Sequence, residues 1–270
     1  MGFGMITSRG VTYLASELLD RIQGVRHGFS TRVGGVSPAP WNTLNLGFSS
    51  GDEGDRVKAN WRRFMDSAAF GSRPLVHLTQ IHSANSVLVG RTPETPFHNA
   101  GEADGLISEQ NNVALAVLGA DCLPILIVGG SPARVVGAVH AGWRGVAAGA
   151  AVKTIERMIA NSGGALLPSD FTLAFGPHIR KCCFEVGPEV VEQFKQVGEL
   201  AEGELKAGDG DRAFLDLASI ATRQLVALGV SADQIEAVRH CTKCRPDLFF
   251  SYRGEGPNRG MQGAAISLEA

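Results

Sequence analysis

Residues Val113 to Gly145, VALAVLGADCLPILIVGGSPARVVGAVHAGWRG, constrain the fold more than any other part of the chain. Val113–Leu118, Pro124–Val128 and Val135–His140 are apolar runs of strand length. A Gly-Gly-Ser-Pro turn joins the second run to the third. Cys122 stands at the break between the first two runs, and His140 ends the third. A further donor, His82 in Thr79–Ser83, ends an earlier strand-like piece. One Cys and two His with a fourth position open suit a catalytic zinc, whereas a structural zinc takes four protein ligands. Each residue alone has a plainer reading. A cysteine among apolar strands is commonly an inert buried thiol, and a lone histidine commonly a satisfied structural one. The rest of the chain is read as a scaffold and a substrate pocket around these three.

The 270 residues suffice for one large domain or two small ones. No repeat, low-complexity tract or linker divides them, so residues 1–270 are expected to form one domain. Hydrophobic residues at 44% against charged residues at 19% exclude a disordered chain. A net charge of -2 gives no electrostatic pointer to nucleic acid or membrane. No apolar run reaches the ~20 residues of a spanning helix. The start, MGFGMITSRGVTYL, lacks the pattern of a signal peptide. Five cysteines without such a leader are expected to be reduced thiols in the cytoplasm.

Val25–Ser30 reads as a strand entering Thr31-Arg32-Val33-Gly34-Gly35. Free N–H groups, hydroxyls and the Arg32 guanidinium there could hold an anion, with a hairpin turn and a surface Arg as the plainer reading. Asp52 reads as the N-cap of a helix that buries Trp61 and Phe64. Residues 90–103 read as a loop containing a solvated His98. Asp104 is favoured as a turn residue over a carboxylate supporting a ligand His. After His140, Gly142 leads into a helix over roughly Val146–Ala160, whose N-terminus would attract an anion, and Arg144 beside it is read as a substrate ligand. Cys182-Cys183 is read as packing, because vicinal cysteines rarely share a metal. Cys241-Thr242-Lys243-Cys244 is one CxxC without a second pair, and is read as structural. Pro188–Val197 and Leu215–Leu228 read as helices around an acidic, mobile segment, 198–211.

A set of motifs then adds a resemblance. HGFSTRVGGVS (His27–Ser37), NLG (Asn45–Gly47), QIHS (Gln80–Ser83), ADGLIS (Ala103–Ser108), ADCLPILI (Ala120–Ile127), VHAGWRG (Val139–Gly145), FEVGPEV (Phe184–Val190) and FFSYR (Phe249–Arg253) occur in order. The chain resembles the YfiH/YlmD-type laccase-domain family, purine nucleoside phosphorylases once labelled polyphenol oxidases. The resemblance implies an α+β fold, a single-domain α/β/β/α sandwich with mixed sheets. It implies zinc on His82, Cys122 and His140, which are also the catalytic residues, with copper as the alternative metal. It further implies phosphorolysis of adenosine, inosine and methylthioadenosine, with adenosine deamination as a second activity. Arg32, Asn45, Arg144 and Arg253 are the expected substrate and phosphate ligands. The family usually continues FFSYR into Thr-Gly-Arg, whereas this chain reads Gly256-Pro257-Asn258-Arg259-Gly260, so Arg259 is given no role.

The deaminase reading lacks a His-x-Glu motif to carry the proton. Three rivals stand beside the phosphorylase. One is a copper polyphenol oxidase, poorly served by 7 histidines with no His-x-His. Another is a thiol hydrolase or deamidase using Cys122 and His140. The last is a nucleoside-binding protein without turnover. A cytoplasmic monomer acting on purine nucleosides and phosphate is the expectation carried forward.

Overall fold

The computed structural model describes residues 2–198 and 200–269, so the first residue of the N-terminal segment read above, Met1, lies outside it, as do Glu199 and Ala270. The first strands in chain order are β1 (Phe3–Ser8), β2 (Val11–Ser16), β3 (Val25–Ser30), β4 (Leu75–Thr79), β5 (Ser86–Leu88) and β6 (Phe97–Glu102). The central ones are β7 (Gly105–Ser108), β8 (Ala114–Gly119), β9 (Leu123–Gly129), β10 (Val135–Ala141) and β11 (Phe171–Phe175). The last are β12 (Glu185–Val186), β13 (Leu205–Ala207), β14 (Ala213–Leu215), β15 (Ile235–Ala237) and β16 (Gln262–Leu268). The α-helices are α1 (Glu17–Asp20), α2 (Gly54–Ser67), α3 (Trp143–Ala147), α4 (Ala150–Asn161), α5 (Pro188–Val197), α6 (Leu217–Leu228) and α7 (Tyr252–Glu255).

Two large sheets carry the fold. One runs β1-β2-β3-β16-β8-β4-β6, the other β15-β11-β9-β10-β7-β5, and both mix parallel with antiparallel pairs. The side-chain alternation of the central strands shows why their sequences are apolar throughout. Leu115 and Val117 of β8 join Leu126 and Val128 of β9 in a core between the sheets. Ala114, Ala116 and Leu118 of the same β8 pack outward on Val57, Trp61 and Phe64 of α2. Ile125 and Ile127 of β9 pack outward on Ile155 and Met158 of α4 and Leu217 and Ile220 of α6. A strand with apolar cover on both faces has no polar face to show. The layers are helix, sheet, sheet, helix, the mixed sandwich that the motifs imply.

Several local features differ from the sequence reading. Phe3–Ser16 forms an antiparallel hairpin at one edge of the larger sheet. The loop expected over 90–103 contains β6, a parallel partner of β4, and His98 lies exposed on it. Asp52 is not the N-cap of α2, which is Glu53; its carboxylate instead accepts from Ser37 and Asn45. The helix expected over 146–160 begins earlier and is broken in two, because Gly149 takes a left-handed φ of 70° between α3 and α4. Within the segment expected to be mobile, Glu204 is buried and accepts both Nε and a terminal nitrogen of Arg223.

β4, β8 and β10 end, and β7 and β9 begin, at one margin of the sandwich. Short loops there can place polar side chains against a cavity without breaking either core.

Candidate metal centre and its cavity

His82, Cys122 and His140 come together as expected, with one donor atom from each lying within 4.8 Å of the others. His140 is the penultimate residue of β10 and is 4% exposed, so burial fixes its ring. Cys122 sits half-buried in the loop between β8 and β9, 3.9 Å from His82 Nε2. The two imidazoles meet edge to face, 5.0 Å between centroids at 78°. His82 holds a positive φ of 60°, and Asp121, next to the cysteine, one of 98°. Non-glycine residues rarely adopt that region, and surrounding bonds must hold them there. Gly142 completes the packing: a Cβ at that position would lie 2.9 Å from the His82 ring and 3.0 Å from Cys122 Sγ.

The bonds that hold His82 come from Asp104. Its carboxylate accepts the backbone N–H groups of His82 and Ser83 at 3.0 and 2.5 Å and the Ser83 hydroxyl at 2.8 Å. Its Oδ1 also lies 2.8 Å from His140 Nδ1. Asp104 therefore orients two of the three donors, and is not the simple turn residue that its sequence context favoured. A carboxylate on the far nitrogen of a histidine fixes the tautomer and leaves Nε2 free for a metal. Burial alone would raise the Asp104 pKa, but the bonds from His140 and Ser83 outweigh it and hold the group at about 2. Burial likewise opposes the Cys122 thiolate, yet the neighbouring His140 charge and bonds from His140 and His82 lower its pKa to about 6. Burial opposes the His140 cation, and the Cys122 thiolate and Asp104 reverse that effect. A soft anion between two imidazoles, one braced by a carboxylate, is a donor set that fits zinc and also fits copper.

The three donors form part of the wall of a cavity of ≈ 590 Å³. Aromatic rings line much of the remainder: Phe48, stacked on His77 at 4.4 Å, with Trp143, Phe184 and Tyr252. Three arginines enter it. Arg144 lies over the Trp143 ring, and Arg253 lies over Phe184 while its Nη1 donates to the Glu185 carbonyl. Arg259 lies over Tyr252, its Nε buried without a hydrogen-bond partner. Burial lowers the Arg259 pKa, as expected of a cation withdrawn from water. The one carboxylate of the lining, Asp121, is occupied by the Thr242 hydroxyl and the Arg253 backbone N–H.

Two expected ligands lie elsewhere. Arg32 is not in the lining. Its guanidinium donates to the carbonyls of Asn42, Pro246 and Phe249, pairs with Glu255 at 2.8 Å, and stacks on Phe250. The Gly34 and Gly35 N–H groups are also used, both donating to Thr43 Oγ1. Asn45 is fully buried and joins Ser50, Asp52, Gly47 and Met261. Both residues brace loops behind the site. Arg32→Ala is thus expected to lower stability by roughly 2–3 kcal/mol, from lost charged hydrogen bonds. It should leave the phosphate KM of any turnover within about twofold, and a KM rise at unchanged Tm would contradict this. Arg259, given no role above, does reach the cavity; a lone Arg among Gly, Pro and Asn carries no signal of the contact it makes.

Residues 26–269 match the family described as multi-copper polyphenol oxidoreductase laccase. The human protein named purine nucleoside phosphorylase LACC1 is 33% identical over 269 residues, 96% of this chain and 59% of that protein. The chain thus spans less than two thirds of that relative. The Escherichia coli K12 protein named purine nucleoside phosphorylase YfiH is 35% identical over 231 residues, 86% of this chain and 89% of its own. Among solved structures, YlmD from Geobacillus stearothermophilus superposes with a TM-score of 0.85 at 30% identity over 99% of both chains. A Bacillus licheniformis hypothetical protein YfiH superposes with 0.88 at 27% identity, also over 99% of both.

Proposed function

The chain belongs to the family described as multi-copper polyphenol oxidoreductase laccase, and from that premise we propose that it is a zinc-dependent purine nucleoside phosphorylase. It splits adenosine, inosine and methylthioadenosine with phosphate to the base and ribose 1-phosphate, and deaminates adenosine as a side activity. The observation that carries this reading is the joining, in one cavity, of a braced His82–Cys122–His140 donor set with three arginines and flat aromatic walls. The names of the human and E. coli relatives support it.

A bound zinc would supply Lewis acidity toward a substrate oxygen. The protein's own residues do the rest. Phe48, Trp143, Phe184 and Tyr252 offer π faces on which a purine can stack. Arg144, Arg253 and Arg259 present planar donors to a phosphate, and guanidinium–phosphate bonds are often bidentate. Aligning the phosphate with the anomeric carbon is the main demand of phosphorolysis, since the nucleophile arrives already charged. Asp104 keeps His140 oriented throughout. The cavity offers no free carboxylate for a deaminase proton, which is why deamination ranks as the lesser activity. The reading takes residues 1–270 as one catalytic unit and the protein as a cytoplasmic monomer. No helix among the described residues is long and apolar enough to cross a membrane.

One test is chromatography of adenosine incubated with zinc-loaded protein, with and without phosphate. Adenine and ribose 1-phosphate, both phosphate-dependent, are expected. Arg259→Ala should raise the phosphate KM at least tenfold, equivalent to about 1.4 kcal/mol, with a smaller change in the nucleoside KM. Absence of base release with metal bound would overturn the reading.

The Cys122–His140–Asp104 arrangement supports one second reading, a thiol hydrolase or deamidase with Cys122 as nucleophile. Activity that survives complete chelation would favour it.

A further inference from the structure

Four of the five cysteines lie outside the site just described, and they too converge. Cys182, Cys183, Cys241 and Cys244 place their sulfurs within 4.8 Å of one another. Cys244 Sγ is 3.7 Å from Cys182 Sγ and 3.4 Å from Cys183 Sγ. All four are free thiols. Sulfurs at about 2.3 Å from a central zinc stand about 3.8 Å apart along the edges of a tetrahedron. The separations here already approach that edge, and they are far from the ~2.05 Å of a disulfide.

Local structure explains how a vicinal pair and a CxxC meet. Cys182-Cys183 sits in a tight turn between β11 and β12, closed by bonds from the N–H groups of Cys183 and Phe184 to the Arg180 carbonyl. Cys241–Cys244 forms a turn after β15. A parallel bridge between His178 and Cys241 joins the turns, together with the bond from Thr242 N to the His178 carbonyl. Arg180 N–H also points at Cys241 Sγ at 3.5 Å, a charge-stabilising bond of the kind thiolate ligands take.

We propose that Cys182, Cys183, Cys241 and Cys244 form a second, tetrathiolate metal centre that binds zinc and has a structural role. Four protein sulfurs leave no open position, so this centre does no chemistry on substrate. Its position gives it a purpose. The first turn leads into Phe184, which lines the cavity, and the second carries Thr242, whose hydroxyl holds Asp121 beside Cys122. A metal here clips together the two loops that support the cavity wall.

The inference is independent of the phosphorylase reading and is tested without turnover. Metal content would be measured by plasma mass spectrometry on the full chain purified reduced with zinc, alongside cobalt spectra. Wild type should hold two equivalents; Cys122→Ala and Cys244→Ser should each hold one, and the double variant none. Cobalt should give intense thiolate charge-transfer bands in wild type and Cys122→Ala that fall in Cys244→Ser to the weaker band of the single Cys122 thiolate. If Cys244→Ser does not fold, alkylation of the wild-type protein decides. Cys182, Cys183, Cys241 and Cys244 should be protected when zinc is loaded and modified after chelation. A single equivalent in wild type that is lost in Cys122→Ala overturns the proposal. So do equal alkylation with and without zinc, and recovery of the four sulfurs as disulfides from the reduced, zinc-loaded chain.

Discussion

Cys122→Ala is expected to abolish phosphorolysis while leaving the chain folded. The thiolate is the one anionic donor of the three, so its loss leaves two imidazoles, one of them exposed. Lewis acidity is worth several kcal/mol at a reacting oxygen, or on the order of 10³ in rate. The residue is half-buried and makes no backbone bridge, so Tm should fall by no more than a few degrees. Base release from adenosine and circular dichroism, measured on the same preparation, check both halves. Retained turnover would remove Cys122 from the reaction.

Asp104→Asn has the second largest expected effect, although Asp104 touches no substrate. Its carboxylate gathers the loop N–H groups at His82 and Ser83 together with the His140 ring. An amide there can turn a donor toward His140 Nδ1 and so oppose the tautomer that frees Nε2. Carboxylates in this position typically govern metal affinity by 10–100-fold, and a loss of that size is expected here. Zinc affinity measured by competition with a chelating dye, with kcat measured at saturating metal, separates the two contributions. A kcat restored at high zinc assigns Asp104 to orientation of the ligands. Unchanged affinity would refute its bracing role.

How far the sequence revealed these features depended on whether a signal was local. The central strands β8, β9, β10 and β11 and the helices α5 and α6 were legible because apolar runs, Pro188 and Gly229 act over a few residues, whereas β6 and β13 lie in polar, glycine-bearing segments that read as loop. The three candidate metal donors were legible because each stands at a break in, or the end of, an apolar run. Asp104 was underrated because Ala103-Asp104-Gly105 has the composition of a turn, and only the fold brings His140 beside it. Arg32 was misplaced for the converse reason: a guanidinium next to two glycines resembles an anion site until Thr43 is seen to occupy their N–H groups. The cysteine pairs were read separately because about sixty residues lie between them, and no periodicity joins a vicinal pair to a CxxC.

The position of β16 has a consequence for how the molecule is made. This last strand is buried along its whole length and lies between β3 and β8, in the middle of the seven-stranded sheet. Its Gly263 N–H bonds to the Ser30 hydroxyl, 233 positions earlier in the chain. Until Gln262–Leu268 leaves the ribosome, the hairpin with β3 on one side and β8, β4 and β6 on the other are two half-sheets with facing open edges. Pairing at such sequence separation is slow, and open edges invite intermolecular pairing. The nascent chain therefore passes through a stage in which the partners of β16 on both sides are synthesised but the larger sheet cannot close, and that interval is where chaperone engagement would matter most.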